Sequence, residues 1–151
     1  MKKHSGAPIV LLEDDPNDAF FVTHAVEKAC IVNPIVRFQT ATRARSHFGQ
    51  SGTPELPVVF VMDVHLAGGE TGIEFLRWLR EQPSPLGSTP TMMLTGSANP
   101  EDQREAESLG AIYFLRKPVT QENLTNAVQS LGFVVSSLTG FGSMRRIEPK
   151  A

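Results

Sequence analysis

The pattern that most constrains the fold is an alternation of short, continuously apolar runs with longer segments of helical periodicity. A continuous apolar run of strand length predicts a strand buried on both faces, as in a parallel sheet covered by helices. Such runs lie at 9–12, 58–62, 92–94 and 112–115, and a more alternating run at 35–38 predicts an edge strand. Because helical segments separate the runs, the sequence predicts an α/β fold with a five-stranded parallel sheet.

Capping signals mark where the helices between these strands begin. Asp15–Pro16 and Asn99–Pro100 each put a capping side chain before a proline at the first helical position, and Thr120 can cap the last helix. Apolar residues share one helical face at 22–29, 73–79 and 124–131. We therefore expect one helix after each strand.

Composition excludes several classes of protein. Lys and Arg number 14 against 16 Asp and Glu, so no basic excess points to nucleic acid as a direct partner. The single cysteine, Cys30, cannot form an internal disulfide, which is typical of a reducing compartment. No apolar stretch approaches the ~20 residues of a membrane span, and three acids interrupt the first apolar run, unlike a signal peptide. With 151 residues, the chain is expected to form one cytoplasmic domain without membrane contact.

Side chains capable of chemistry follow four predicted strands, at the point where each strand ends. They are Glu13, Asp14 and Asp15 after the first strand, Asp63 after the third, Thr95 after the fourth and Lys117 after the fifth. In a parallel α/β sheet these ends line one crevice, so the groups should meet there. Carboxylates ~4 Å apart repel by about 4 kcal/mol per pair at an effective dielectric of about 20, which a divalent cation such as Mg²⁺ relieves. The sequence therefore predicts a Mg²⁺ site, with Asp15 serving mainly as a helix cap.

The same group of side chains predicts phosphoryl transfer. The carboxylate of Asp63 can attack phosphorus and form an aspartyl phosphate. The ammonium of Lys117 supplies a counter-charge to the phosphoryl group, and the hydroxyl of Thr95 supplies a hydrogen bond. Phosphoryl transfer needs mostly positioning and charge neutralisation, and this set provides both.

The segments that carry these residues resemble, in order and spacing, the receiver domains of two-component response regulators. The segments are LLEDDP, VFVMDVHL, MMLTGS and LGAIYFLRKP. The resemblance covers about residues 8–131, which leaves an N-terminal arm at 1–7 and a C-terminal extension at 132–151. It implies a (βα)5 flavodoxin-like, doubly wound sheet of order 2-1-3-4-5. It also implies a single-domain response regulator with no output domain, and not an enzyme.

The resemblance implies a role for each acidic residue. Asp63 would be the phosphoacceptor and a metal ligand, and Asp14 would bind Mg²⁺ directly. Glu13 would complete the acidic pair and act on the metal through a water molecule. His65, two residues after the phosphoacceptor, would offer its backbone carbonyl to the metal.

The resemblance also implies a switch. Thr95 and Lys117 match the switch hydroxyl and the phosphate-binding lysine, and the Lys117–Pro118 peptide bond would be cis. Phe114 occupies the position of the aromatic side chain that changes its rotamer when Thr95 moves. The alternative interpretation is that Phe114 is a strand aromatic that only packs under a helix.

Within this family, the chain most resembles small stand-alone regulators that partner bacterial phytochrome-type histidine kinases. The segments that carry this likeness are FFVTHAVEKA, NPEDQREAESLGAIYFLRKPV and AVQSLG. It implies a histidine kinase partner and a homodimer that uses the fourth helix, fifth strand and fifth helix together with the C-terminal tail. The apolar residues 133–135 of that tail need cover, which favours the dimer. Arg145 and Arg146, further along, are expected to be solvated.

Two segments depart from the pattern of the family. Gly72 lies one residue further from Asp63 than is usual, which places an extra residue beside the phosphoacceptor. Residues 40–48, TATRARSHF, replace the usual acid-containing start of the second helix. A short helix with a weak apolar face is predicted over about residues 41–50. Both changes bear on which kinase the chain would recognise.

Two other function classes remain open. A phosphohydrolase with an aspartyl nucleophile would usually carry a second acid two residues after it as general acid/base, where this chain has His65. A dimerising scaffold whose function does not depend on phosphorylation would use the apolar tail.

Overall fold

The structure, a computed structural model, describes residues 6–50, 55–66, 68–96, 99–111, 113–130, 134–137 and 145–148, with the backbone alone described at 134–137. Five strands form the main sheet: β1 (Ile9–Leu12), β2 (Ile35–Phe38), β3 (Val59–Asp63), β4 (Thr91–Thr95) and β5 (Tyr113–Arg116). The helices are α1 (Pro16–Lys28), α2 (Ala41–Phe48), α3 (Gly72–Arg80), α4 (Pro100–Ser108) and α5 (Gln121–Ser130). Two short strands follow, β6 (Val134–Ser137) and β7 (Arg145–Glu148).

The sheet is parallel throughout and has the order β2-β1-β3-β4-β5, which confirms the predicted α/β fold and its strand order. The predicted edge strand, 35–38, lies at one edge. The strand predicted at 112–115 is observed as Tyr113–Arg116, and Ile112 lies outside the described residues.

Two apolar cores lie on the two faces of this sheet, because successive strand side chains point in opposite directions. Ile9 and Leu11 belong to the core under α1 and α5, whereas Val10 and Leu12 belong to the core under α2, α3 and α4. All four residues of β1 are buried, as a strand covered on both faces requires.

Helix starts follow the capping signals of the sequence. Asp15 accepts hydrogen bonds from the backbone N–H groups of Asn17 and Asp18 at 2.7 and 3.2 Å, which holds the first turn of α1. Side chains that cap the five helices are Asp15, Thr40, Thr71, Asn99 and Thr120. The weak apolar face of α2 suffices because it buries small residues and one aromatic ring: Ala41, Ala44 and Phe48.

The expectation of a solvated tail holds for the exposed side chain of Arg145, but Arg146 is half-buried and the backbone here is bonded to the domain. The backbone N–H of Arg145 donates to the carbonyl of Cys30 at 2.6 Å, and its carbonyl accepts from Val32 N–H at 2.8 Å. Ile147 is only 2% exposed and packs into the core under α1 and α5. Strand β7 also pairs antiparallel with β6, so tertiary contacts order a stretch whose composition is polar.

A buried asparagine fastens this strand to the domain. The side-chain amide of Asn33, 1% exposed, donates to the carbonyls of Ala7 and Ile147, each at 2.9 Å. Its carbonyl oxygen accepts from the backbone N–H of Ile147 at 2.8 Å. Residues 131–133, which hold the last position of the predicted apolar helical face and the first of the apolar tail, lie outside the described residues.

Across the described ranges, none of the helices combines the length and the apolar character that crossing a bilayer requires.

Candidate functional site

The predicted site residues meet at the carboxyl ends of the strands. Glu13 follows β1 and is fully buried, and Asp63, the last residue of β3, is 5% exposed. One oxygen from each of the carboxylates of Glu13, Asp14 and Asp63 lies within 4.8 Å of the others. Lys117 follows β5, and its backbone N–H donates to the carbonyl of Thr95 at 2.9 Å, which fixes the two neighbouring strand ends against each other.

The ammonium of Lys117 lies among three carboxylates. Its Nζ is 2.5 Å from Asp63 Oδ2, 2.6 Å from Glu13 Oε1 and 3.0 Å from Asp18 Oδ2. Sequence reasoning missed Asp18, although an acid in the first turn of α1, close to the acidic run, was a usable signal. The peptide bond between Lys117 and Pro118 is cis.

This arrangement shifts two pKa values. Burial raises the pKa of Glu13 to about 7 from its ordinary value of 4.5, although the Lys117 ammonium and the Asp15 N–H act to lower it. Burial acts to lower the pKa of Lys117, but the carboxylates of Asp63, Glu13 and Asp18 outweigh burial and hold this pKa above 10.5. Lys117 is therefore a fixed positive charge, and Glu13 can gain or lose a proton near neutral pH.

The donor set fits a divalent metal ion of the Mg²⁺ type. The carboxylates of Glu13, Asp18 and Asp63 share one ammonium, and Asp14 adds a further carboxylate without a contact to it. The buried Glu13 Oε1 accepts no well-aligned hydrogen bond from the described residues despite its ion pair with Lys117. A buried carboxylate oxygen without a hydrogen bond costs free energy that a cation bound nearby recovers. All the available ligands are hard oxygen atoms, which Mg²⁺ prefers.

The loop after β3 holds the second oxygen of Asp63 and returns close to that residue. The backbone N–H of His65 donates to Asp63 Oδ1 at 3.0 Å. Gly72 starts α3 so close to Asp63 that a Cβ at position 72 would lie 1.9 Å from the Asp63 carbonyl oxygen. The start of α3 therefore lies directly against the end of β3.

Thr95 and Phe114 lie on the same cleft, which has a volume of about 200 Å³ and is also lined by Asn99 and Asp102 of the α4 segment. Phe114 is half-buried and packs against the core under α4, which agrees with the packing interpretation of this residue. The exposed side chain of His65 lies 3.6 Å from Asp102, measured from Nε2 to Oδ2.

Arg37 is a second residue of the site that sequence reasoning missed. From β2, its Nε donates to the carbonyl oxygen of Glu13 at 2.9 Å and its Nη2 donates to that of Asp14 at 3.1 Å. The parallel register pairs Arg37 with Leu11, which lies two residues before the acidic run. Sequence alone does not give this register, so it does not show which side chain of β2 reaches the loop after β1.

Comparisons with known proteins agree with this geometry. Residues 9–129 match the model of the family described as the response regulator receiver domain. The chain therefore belongs to the response regulator receiver family, and its acidic pocket of Glu13, Asp14 and Asp63 lies where the fold gathers the strand ends.

Solved structures similar to this chain include two bacteriophytochrome response regulators. RtBRR gives a TM-score of 0.79 at 27% identity, covering 92% of this chain and 87% of that chain. AtBRR gives a TM-score of 0.76 at 28% identity, covering 89% of this chain and 99% of that chain.

Among curated proteins, the transcriptional regulatory protein FixJ of Bradyrhizobium diazoefficiens is 37% identical over 70 residues. The match covers 46% of this chain and 32% of FixJ, so it spans about a third of the length of that relative.

Proposed function

We propose that this chain is a cytoplasmic receiver that accepts a phosphoryl group on Asp63 from the phosphohistidine of a histidine kinase, in a step that depends on Mg²⁺. The observation that carries the proposal is the buried cluster in which Lys117 Nζ lies 2.5 Å from Asp63 Oδ2 while the carboxylates of Glu13 and Asp14 converge on the same point. A buried excess of negative charge beside one ammonium is suited to receive a cation and a phosphoryl group together.

The metal ion would be held directly by the carboxylates of Asp14 and Asp63 and by the backbone carbonyl of His65. The carboxylate of Glu13 would act on it through a water molecule. Bound there, Mg²⁺ would neutralise charge on the carboxylates and on the phosphoryl oxygens.

In the transfer, an oxygen of the Asp63 carboxylate forms a bond to phosphorus as the nitrogen–phosphorus bond of phosphohistidine breaks. The departing imidazole keeps the electron pair of that bond and takes a proton from water. The hydrogen bond from His65 N–H to Oδ1 limits rotation of the carboxylate, so Asp63 meets phosphorus in a fixed orientation.

Lys117 would remain beside the phosphoryl group after the transfer. Its contact with Asp18, 3.0 Å away, ties the ammonium to α1 and keeps it at the site when Asp63 changes its charge and size. Thr95, at the end of β4, would donate a hydrogen bond to a phosphoryl oxygen.

Phosphorylation would then shift a two-state equilibrium at α4 and β5. Thr95 and Phe114 border one cleft whose opposite wall belongs to α4, so a movement of the hydroxyl toward the phosphoryl group changes the packing available to the ring. Helix α4 buries only Ala106 among its residues, and a helix held by so little apolar surface can shift at low cost.

We propose a phytochrome-type histidine kinase as the partner, with RtBRR and AtBRR, at 27% and 28% identity, as the support. We also propose a homodimer through the face of α4, β5 and α5. Because Ile147 is buried against its own chain, the tail would contribute to that dimer through other residues. Sedimentation of the phosphorylated and unphosphorylated protein tests the dimer, and a monomer in both states would contradict it.

Turnover of external phosphate esters is not part of this proposal. His65, where a hydrolase would carry its second acid, points an exposed side chain toward Asp102. Release of phosphate from a generic ester over many cycles would favour the hydrolase instead.

Intact-mass spectrometry after incubation with acetyl phosphate, with and without Mg²⁺, tests the proposed function. The unsubstituted protein should gain one phosphoryl group only with Mg²⁺, and Asp63→Asn should gain none. Asp15→Asn is the matched control, since asparagine caps a helix as well as aspartate does and Asp15 lies outside the cluster. A folded protein that is never phosphorylated would leave the dimerising scaffold as the better description.

A further inference from the structure

The side chain of Arg37 crosses from β2 to the loop that carries the first two acidic residues. Its guanidinium donates to two consecutive backbone carbonyls, those of Glu13 at 2.9 Å and Asp14 at 3.1 Å. Both contacts go to backbone oxygens, so neither occupies a carboxylate oxygen of the cluster. The half-buried guanidinium thereby fixes the orientation of two peptide units in succession.

The orientation of those peptide units decides where the two carboxylates lie. Glu13 turns inward and is fully buried, Asp14 is half-buried, and one oxygen of each comes within 4.8 Å of Asp63. The backbone N–H of Glu13 also donates to the carbonyl of Phe38 at 3.1 Å, so β2 holds this residue on two sides. A loop left free at these positions would spread carboxylates that repel one another.

We propose that Arg37 is a positioning residue that holds the Glu13–Asp14 backbone so that their carboxylates converge with Asp63, and that it thereby sets the affinity for Mg²⁺. This inference rests on the proposed function, because it assumes that the acidic cluster binds the metal ion.

The sign of the effect separates positioning from charge. If Arg37 acted only through its positive charge, its removal would make the cluster more negative and tighten the binding of a cation. If Arg37 acts by positioning, its removal weakens Mg²⁺ binding about tenfold, within the about 10–100-fold range found for residues that orient metal ligands.

Isothermal titration of Mg²⁺ into Arg37→Met and Arg37→Lys measures this sign. We expect the Mg²⁺ dissociation constant to rise about tenfold in Arg37→Met. In Arg37→Lys it should also rise, because one ammonium lacks the planar fork that reaches both carbonyls although the charge is kept. Arg104→Met, which removes an exposed arginine of α4, is the matched control for net charge and should bind like the unsubstituted protein.

The rate of phosphorylation by acetyl phosphate, measured against Mg²⁺ concentration, distinguishes positioning from general damage to the fold. The Arg37 variants should need about tenfold more Mg²⁺ to reach half of the maximal rate, and that maximal rate should equal the rate of the unsubstituted protein. If Arg37→Met does not fold, Arg37→Lys carries the same test.

Tighter or unchanged Mg²⁺ binding in the Arg37 variants, beside normal binding by the unsubstituted protein, would overturn the inference and leave the proposed function standing. A fall in the maximal rate with an unchanged requirement for Mg²⁺ would overturn it as well. Failure of the unsubstituted protein to bind Mg²⁺ would overturn the proposed metal site and this inference together.

Discussion

The ammonium nitrogen of Lys117 lies 2.5 Å from Oδ2 of Asp63, although the two residues are 54 positions apart in the chain. The same ammonium contacts Glu13 and Asp18, so one positive charge serves three carboxylates in a pocket where Lys117 itself is only 16% exposed. The ion pair is therefore buried, and the carboxylates around it outnumber the single ammonium. Several properties of the protein depend on this excess of negative charge.

Replacing Lys117 with methionine should destabilise the metal-free protein by about 3 kcal/mol, because it leaves buried carboxylates without their counter-charge. Added Mg²⁺ should restore part of this loss by supplying positive charge. Urea unfolding with and without Mg²⁺ measures both effects. The double variant Lys117→Met/Asp63→Asn should be more stable than Lys117→Met alone, and equal stability of the two would contradict the role given to this ion pair.

The affinity for Mg²⁺ should increase with pH across neutrality. The pKa of Glu13 is raised to about 7, so below that pH the carboxyl is protonated and the cluster has one negative charge fewer to attract the metal ion. Titrations of Mg²⁺ between about pH 6 and about pH 8 should show tighter binding at the higher pH. Glu13→Gln cannot ionise and is the control: a pH dependence as steep as that of the unsubstituted protein would assign the effect to another group.

The same raised pKa predicts the opposite trend for the metal-free protein. Its Glu13 favours the protonated form, so the contribution to stability is complete below the ordinary value of 4.5 and is lost as pH rises through about 7. Thermal unfolding in a metal chelator should give a midpoint that falls over this interval for the unsubstituted protein and falls less for Glu13→Gln. A midpoint that falls as much in Glu13→Gln as in the unsubstituted protein would contradict the role of Glu13 in this trend.

The C-terminal strand should contribute to the stability of the domain. Ile147→Ala removes a side chain that is 2% exposed, and we expect a loss of about 2–4 kcal/mol in the free energy of unfolding. Leu56→Ala, at a position 43% exposed, is the control and should change stability little. A loss for Ile147→Ala as small as the loss for Leu56→Ala would mean that Ile147 does not belong to the core.

The start of α3 should tolerate no side chain. Gly72→Ala puts a Cβ 1.9 Å from the carbonyl oxygen of Asp63, so either the helix or the strand end must move. We expect a loss of about 3 kcal/mol in stability together with slower phosphorylation of Asp63. Gly96→Ala, where no atom lies within 4 Å of the added Cβ, should unfold like the unsubstituted protein. Normal stability of Gly72→Ala would contradict the close approach.

Much of the fold follows from the sequence, because strands covered on both faces leave continuous apolar runs and because the helix caps are local. The runs at 9–12 and 35–38 coincide with β1 and β2, and Asp15 caps α1. The meeting of Glu13 and Asp63 was also predictable, since residues that follow parallel strands gather at one edge of the sheet.

What escaped prediction depends on side chains that reach across elements. The contact between Arg37 and the acidic loop depends on strand register, and the contact between Asp18 and Lys117 depends on how α1 lies against β5. The pairing of residues 145–148 with the domain was not predicted because Ile147 is a lone apolar residue in a polar stretch. Its burial depends on Asn33, far away in sequence, and no local pattern carries that information.

The most direct measurement of the central claim is chemical mapping of the phosphorylated residue. Borohydride reduces an aspartyl phosphate to homoserine, and peptide mass spectrometry then locates the altered position. After incubation with acetyl phosphate and Mg²⁺, the change should fall on Asp63 alone and be absent when Mg²⁺ is chelated. A modification at another aspartate, or an unmodified Asp63 in folded protein with Mg²⁺ present, would contradict the account.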